Sequence, residues 1–273
     1  MCGAQANHEP TVELRHMDTA VRLATVTEAE GASPAVVLLH SLALDGSMWA
    51  PLVEHLGDAR TVITMDLRGH GQSPKDASFT IEDMADDVVT TLEGLGHQRA
   101  VMVGLSLGGC VAQAVAIRHP AIVAGLGLID TTAWYGSDAQ QHWADRASNA
   151  REHGMASLSQ FQLERWFGPD FLETHREAAE RLLGVFAAND LDSYVAACHA
   201  MGAFDAREAL GAIRAPTVVI VGEFDPATSP EHAAEIHARV PGSVLHVVPS
   251  AKHLTPVERP AAVADLLRPL WAD

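Results

Sequence analysis

Residues 104–108 read Gly-Leu-Ser-Leu-Gly, a pentapeptide that few folds tolerate in its setting. The run before it, 100–103, is short, apolar and suited to a buried strand. The segment after it, 107–118, has the apolar spacing of a helix. A serine between glycines at such a junction fits a sharp, strained strand-to-helix turn. There the hydroxyl stands clear of the sheet, and the glycines leave room where a Cβ would strike neighbouring backbone. The helix start behind it adds free N–H groups and positive potential. Ser106 is therefore the candidate nucleophile.

The flanking sequence repeats this alternation. Short apolar runs rich in β-branched residues at 36–39, 61–65, 100–103, 125–129, 217–221 and 244–248 predict buried strands. Helical patterns at 48–56, 81–95, 107–118, 231–239 and 256–270 fall between them. Thr80 followed by Asp83 reads as a helix N-cap, with Gly94 and Gly96 marking that helix's end. An α/β fold follows, with a mostly parallel central sheet and helices on both faces. An antiparallel hairpin over 11–17 and 20–27 is expected to lead in.

Between 131 and 216 the alternation stops. Helical patterns at 140–152, 175–187 and 191–201 occur without a convincing strand. Ten of the fourteen aromatic residues fall in this stretch, which rules out a solvated linker. It predicts an inserted helical lid whose aromatics mostly pack against one another. Residues 1–132 and 211–273 are assigned to the core domain and 133–210 to the cap.

Composition excludes several functions. No apolar run reaches the ~20 residues that span a bilayer, and no secretory signal is visible at the start. A net charge of −17, with 18 basic residues, leaves no basic footprint for nucleic acid and repels anionic membranes. Cys2, Cys110 and Cys198 make neither a disulfide framework nor a zinc spacing, so reduced thiols in a cytoplasmic protein are expected. No His-Glu-x-x-His arrangement occurs among the 15 histidines, and neither metal nor cofactor is expected. A homo-oligomer is compatible with the sequence.

A serine hydroxyl needs a base. In sheets of this design the order along the chain is Ser, acid, His. His253 follows the last predicted strand and is the candidate base, with His246 structural. Asp225 follows the penultimate strand and is the candidate acid, with Glu223 and Asp130 as alternatives. The backbone N–H of Leu107 is one expected oxyanion donor. The other belongs to the loop after the first crossover strand, at Leu42, with Ser41 as fallback and His40 bracing the loop. The glycine-bearing turn Asp66-Leu67-Arg68-Gly69-His70-Gly71-Gln72-Ser73 lacks the lysine and spacing of a phosphate loop and reads as structural, with Arg68 buried in hydrogen bonds.

These residues resemble those of the α/β-hydrolase family. The resemblance rests on Gly104–Gly109, the turn at 66–73 and the settings of Asp225 and His253. Further segments are similar to 3-oxoadipate enol-lactonases. They are Asp130-Thr131-Thr132-Ala133, Arg165-Trp166-Phe167, Tyr194-Val195-Ala196-Ala197-Cys198-His199-Ala200 and Asp205-Ala206-Arg207, together with Ser41-Leu42, Asp45 and Met48-Trp49. The likeness runs from about Val36 to Leu267. It departs at His40 and Ala43, where that family usually has Asn and Gly, and at Leu254-Thr255-Pro256. The resemblance implies a serine hydrolase that opens a small lactone through an acyl-enzyme. A carboxylated enol-lactone also requires a cation, with Arg146, Arg165 and Arg207 as candidates and Trp134, Arg146 and Trp166 expected at the pocket. The alternatives are a general carboxylesterase, a carbon–carbon bond hydrolase with the same triad, and a ligand-binding receptor on a hydrolase scaffold.

Overall fold

The computed structural model describes residues 20–29, 31–57 and 60–271. Seven strands form one sheet: β1 (Thr25–Ala29), β2 (Ala32–Leu39), β3 (Arg60–Met65), β4 (Ala100–Leu105), β5 (Val123–Ile129), β6 (Thr217–Gly222) and β7 (Val244–Val248). Their spatial order is β1-β3-β2-β4-β5-β6-β7. Only β1 runs antiparallel to its neighbour. Every position of β4 and β6 is buried, as strands covered on both faces must be.

The crossover helices are α1 (Ala50–Leu56), α2 (Ile81–Gly94) and α3 (Leu107–Arg118), with α2 packed on α3. A 3₁₀ turn at Gly46–Trp49, capped by Asp45, precedes α1. Thr80 and Asp83 form a reciprocal capping box on α2, as their spacing predicts.

Of the expected entering hairpin, residues 11–17 lie outside the described residues, and the second arm becomes a strand only from Thr25, where β1 pairs with β3, Thr25 opposite Met65. The reason lies in where the preceding donors go. The N–H of Val21 reaches Asp87 Oδ1 at 2.7 Å, that of Leu23 reaches Thr91 Oγ1 at 3.0 Å, and that of Ala24 reaches Ser73 Oγ at 2.8 Å. Side chains of α2 and of the 66–73 turn take the place of a strand partner.

Five helices join β5 to β6: α4 (Ala139–His153), α5 (Ser159–Trp166), α6 (Pro169–Thr174), α7 (Arg176–Ala187) and α8 (Leu191–Ala203). α4 packs along α8. α5 and α6 were not expected from the sequence, being too short to show a full apolar period. An aromatic chain holds the segment together. Trp166 meets Phe186 edge-on at 5.7 Å, Phe186 meets Tyr194 at 6.1 Å, and Phe167 stacks on Phe171 at 4.7 Å.

After β6 come α9 (Pro230–Arg239), β7, α10 (Thr255–Glu258) and α11 (Pro260–Leu267), with α1 packed on α11. A single helix over 256–270 is thus not observed. Pro260 lacks an N–H and drives Arg259 out of the helical region, to φ −136° and ψ 54°. No helix among the described residues is long and apolar enough to cross a membrane.

Candidate active site

Ser106 sits between β4 and α3 at φ 54° and ψ −113°, a conformation that costs energy for a residue with a Cβ. Its N–H donates to the Ile129 carbonyl at 3.0 Å, which fixes the turn against β5. The two glycines explain why the turn closes. A Cβ on Gly104 would lie 2.1 Å from the Gly108 carbonyl oxygen, and one on Gly108 would lie 2.1 Å from that of Leu39. Leu107 opens α3, where an N–H has no acceptor within the helix.

The loop after β2 lies beside this turn. Gly108 N–H donates to the His40 carbonyl at 3.1 Å, and Leu44 N–H to that of Ser41 at 3.1 Å. His40 Nδ1–H reaches the Ser41 carbonyl at 2.8 Å, while Nε2 accepts from Leu67 N–H at 2.9 Å. These bonds fix the tautomer, and burial pushes the ring's pKa down, so His40 braces the loop as a neutral group. Ser41 and Leu42 both line the cavity in front of Ser106.

Asp225 and His253 emerge from the C-terminal ends of β6 and β7. His253 Nδ1 lies 2.8 Å from Asp225 Oδ2. Asp225 also accepts from Thr228 Oγ1 at 2.8 Å and from the N–H groups of Ala227 and Thr228 at 2.7 and 3.1 Å. Burial works against its charge. His253 and these donors outweigh that penalty and hold the acid below the ordinary carboxylate range. Nδ1 is therefore the protonated nitrogen, which leaves Nε2 free as a base.

The two alternative acids have other partners. Glu223 accepts from Ser250 N–H at 2.9 Å. Asp130 accepts from the N–H groups of Gly222 and Thr255, and its Oδ1 lies 3.0 Å from the Thr255 hydroxyl. His246 lies half-buried within β7.

Ser106 and His253 open onto one cavity of about 650 Å³. No hydrogen bond joins their side chains. The Ser106 side chain instead interacts with the Tyr135 hydroxyl. The far wall is built from the helical segment, with Trp143, Arg146, Phe161, Arg165 and Trp166.

Of the three residues expected there, Arg146 and Trp166 line the cavity and Trp134 does not. Arg207 covers the Trp134 ring, with 3.5 Å from guanidinium carbon to ring centroid, and bonds Asp205 at 2.7 and 2.9 Å. Adjacent residues on an extended loop point oppositely, so Tyr135 takes the cavity side. Arg207 is thereby removed as a candidate cation, because its charge is already matched.

Arg146 and Arg165 differ from Arg207. Arg146 Nε donates to Tyr194 Oη at 2.6 Å. The guanidinium carbon of Arg165 lies 4.9 Å from the Phe161 centroid, and that of Arg146 lies 6.0 Å from it. Neither has a carboxylate partner among the described residues. Burial, and then the neighbouring Arg146 charge, push the pKa of Arg165 down. Two cations thus stand on one wall of the cavity, in a chain of net charge −17. Tyr135 and Phe161 escaped sequence reasoning, since no spacing marks which lid aromatic faces inward.

The helical segment also grips both loops of the sheet. Asn189 Nδ2–H donates to the Ala43 carbonyl at 2.8 Å, and Leu254 N–H to the Trp166 carbonyl at 3.1 Å.

Comparison with known proteins places this architecture in a class. The sequence profile of the alpha/beta hydrolase fold matches residues 34–260, and the chain belongs to that family. It is 32% identical over 250 residues to 3-oxoadipate enol-lactonase 2 of Acinetobacter baylyi, covering 91% of this chain and 92% of that one. The solved enol-lactonase of Burkholderia xenovorans superposes with a TM-score of 0.86 at 33% identity, covering 92% and 96% of the two chains. A thermophilic esterase from Thermogutta terrifontis, solved with malate bound, gives 0.84 at 32% identity, covering 90% and 92%.

Proposed function

We propose that this protein is a cytoplasmic serine hydrolase that opens a small lactone bearing a carboxylate, 3-oxoadipate enol-lactone or a close analogue. One observation carries the reading: the strained Ser106, the Asp225–His253 pair and two cations without carboxylate partners share a single cavity. The enol-lactonase relatives support the lactone as substrate.

In this mechanism the carboxylate docks on Arg146 and Arg165, and residues 133–210 act as a cap over the core. The lactone carbonyl then meets Ser106. His253 Nε2 takes the hydroxyl proton as Oγ attacks, and Asp225 stabilises the imidazolium. This requires Oγ and Nε2 to come within hydrogen-bond reach once substrate is seated, as such contacts often tighten only then. The N–H groups of Leu107 and Leu42 hold the oxyanion, each contributing about 3 kcal/mol to the barrier reduction. Collapse breaks the ring C–O bond, and His253 returns the proton to the enol oxygen, which later ketonises. Water, deprotonated by His253, attacks the acyl-enzyme and releases the acid.

Ser106→Ala tests the reading. Turnover of a lactone panel and fluorophosphonate labelling should both vanish while circular dichroism stays unchanged; lactone opening that survives the substitution removes Ser106 as nucleophile. The esterase relative favours a second reading, a carboxylesterase with the same triad. Rapid cleavage of simple aryl esters with no lactone opening would select it.

A further inference from the structure

Asp130 ends β5 in the left-handed region, at φ 43°, and is fully buried. Its own N–H donates to the Ile220 carbonyl at 2.9 Å. Oδ1 accepts from the N–H of Gly222, the last residue of β6 and three residues before Asp225, at 2.8 Å. Oδ2 accepts from Thr255 N–H at 3.1 Å, two residues after His253. One carboxyl group thus ties the acid's loop to the base's loop from beneath.

The Thr255 hydroxyl bears on the state of that carboxyl group. Its oxygen lies 3.0 Å from Asp130 Oδ1 and 2.9 Å from the Lys252 carbonyl oxygen. A hydroxyl has one hydrogen, and the carbonyl can only accept. With Asp130 ionised, two acceptors must share that one hydrogen. With Asp130 protonated, Oδ1–H donates to Thr255 Oγ1 and Thr255 donates onward to Lys252. Every group is then satisfied, as buried polar networks require.

We infer that Asp130 is a positioning residue held as the neutral acid, clasping the loops of Asp225 and His253 without adding a second negative charge beside them. The surroundings agree. Burial, and then the charge of Asp225, raise the pKa of Asp130 well above the ordinary carboxylate value, while the donors act against this. The titratable groups on the adjoining loops are Glu223 and Asp225 on one side and Lys252 and His253 on the other, with Glu223 turned to Ser250 N–H at 2.9 Å. The Lys252 ammonium is directed elsewhere, to the Glu164 carbonyl at 2.6 Å. Two ionised carboxylates below one imidazole would oppose each other, whereas one charge and one neutral clasp keep Asp225 as the sole counter-charge of His253.

The positioning role rests on the hydrolase reading above, but the protonation state does not, so the two are tested separately. Infrared spectra of the whole protein at neutral pH should show the carbonyl stretch of a protonated carboxylic acid. It should shift in heavy water, shift in Thr255→Val and be absent in Asp130→Asn. No such band, or one that survives in Asp130→Asn, overturns the neutral assignment whether or not the enzyme turns over. For positioning, fluorophosphonate labelling of Ser106 should slow about 10- to 100-fold in Asp130→Ala, as expected for a displaced base. Asp130→Asn should recover part of that rate with the acid limb of the labelling profile unmoved. Unchanged labelling in folded Asp130→Ala, which removes both backbone contacts, overturns the clasp. Downward displacement of the acid limb in Asp130→Asn shows an ionised Asp130 and overturns the neutral state.

Discussion

The sheet and the helical segment between β5 and β6 treat charge in opposite ways. In the sheet, buried charge is closed on itself. Arg68 meets Asp87 through two bonds of 2.7 Å, and His253 meets Asp225 at 2.8 Å. In the helical segment, Arg146 and Arg165 face the cavity with only aromatic and hydroxyl partners. A charge matched internally has nothing left to offer a ligand, whereas an unmatched one in a shielded wall does. On the proposed function, the contrast puts chemistry at the sheet edge and substrate choice in the helices.

That division can be broken most sharply at Asp225. Asp225→Asn should leave the fold intact and cut kcat by about 10⁴-fold, because the amide no longer fixes the His253 tautomer. Steady-state kinetics with circular dichroism checks this, and a loss confined to KM would dissolve the contrast.

Next in size, Arg68→Ala should cost about 3–5 kcal/mol, since it leaves Asp87 buried and unpaired. Trp166→Ala should cost a comparable 3–5 kcal/mol by opening a hole among Phe167, Phe186 and the His253 loop. Thermal melts compare the two. Only Trp166→Ala should also change the kinetics of the folded enzyme, because Trp166 lines the cavity.

Arg165→Met should lower kcat/KM for a carboxylated lactone about 10- to 100-fold, the worth of a hydrogen bond to a charged group. It should leave a neutral aryl ester within a few-fold. Equal losses on both substrates would mean that Arg165 shapes the wall rather than reading charge.

The smallest effect belongs to the outer surface. Asp86 accepts from Arg118 at 2.7 Å and pairs with His119 at 2.6 Å. Partial burial disfavours its charge, but these partners outweigh that and keep its pKa low. Its contribution is therefore present above the unfolded acid's pKa and lost as pH falls through the folded one. Asp86→Asn should cost no more than about 1 kcal/mol at neutral pH, with the difference from wild type vanishing in acid melts.

Much of this was legible in the residues. The α3 boundaries follow from Gly104 to Gly108 and the apolar period beyond, and β7 follows from its β-branched run. Asp225 and His253 could be chosen because each follows a strand, in an order the sheet dictates. Trp134 could not be placed correctly. A one-residue difference decides which side chain of a loop faces inward, and the stacking of Arg207 on Trp134 depends on a contact 73 positions away in sequence.

Local pattern determined the alternation of strands and helices, the strained serine turn and the chain order of acid and base, because these depend on neighbouring residues and on backbone sterics. Tertiary structure decided which carboxylate meets His253, which arginines stay unmatched and how Asp130 spans two loops. Those outcomes depend on distances between residues far apart in the chain, which only the packed sheet and its helical insertion set.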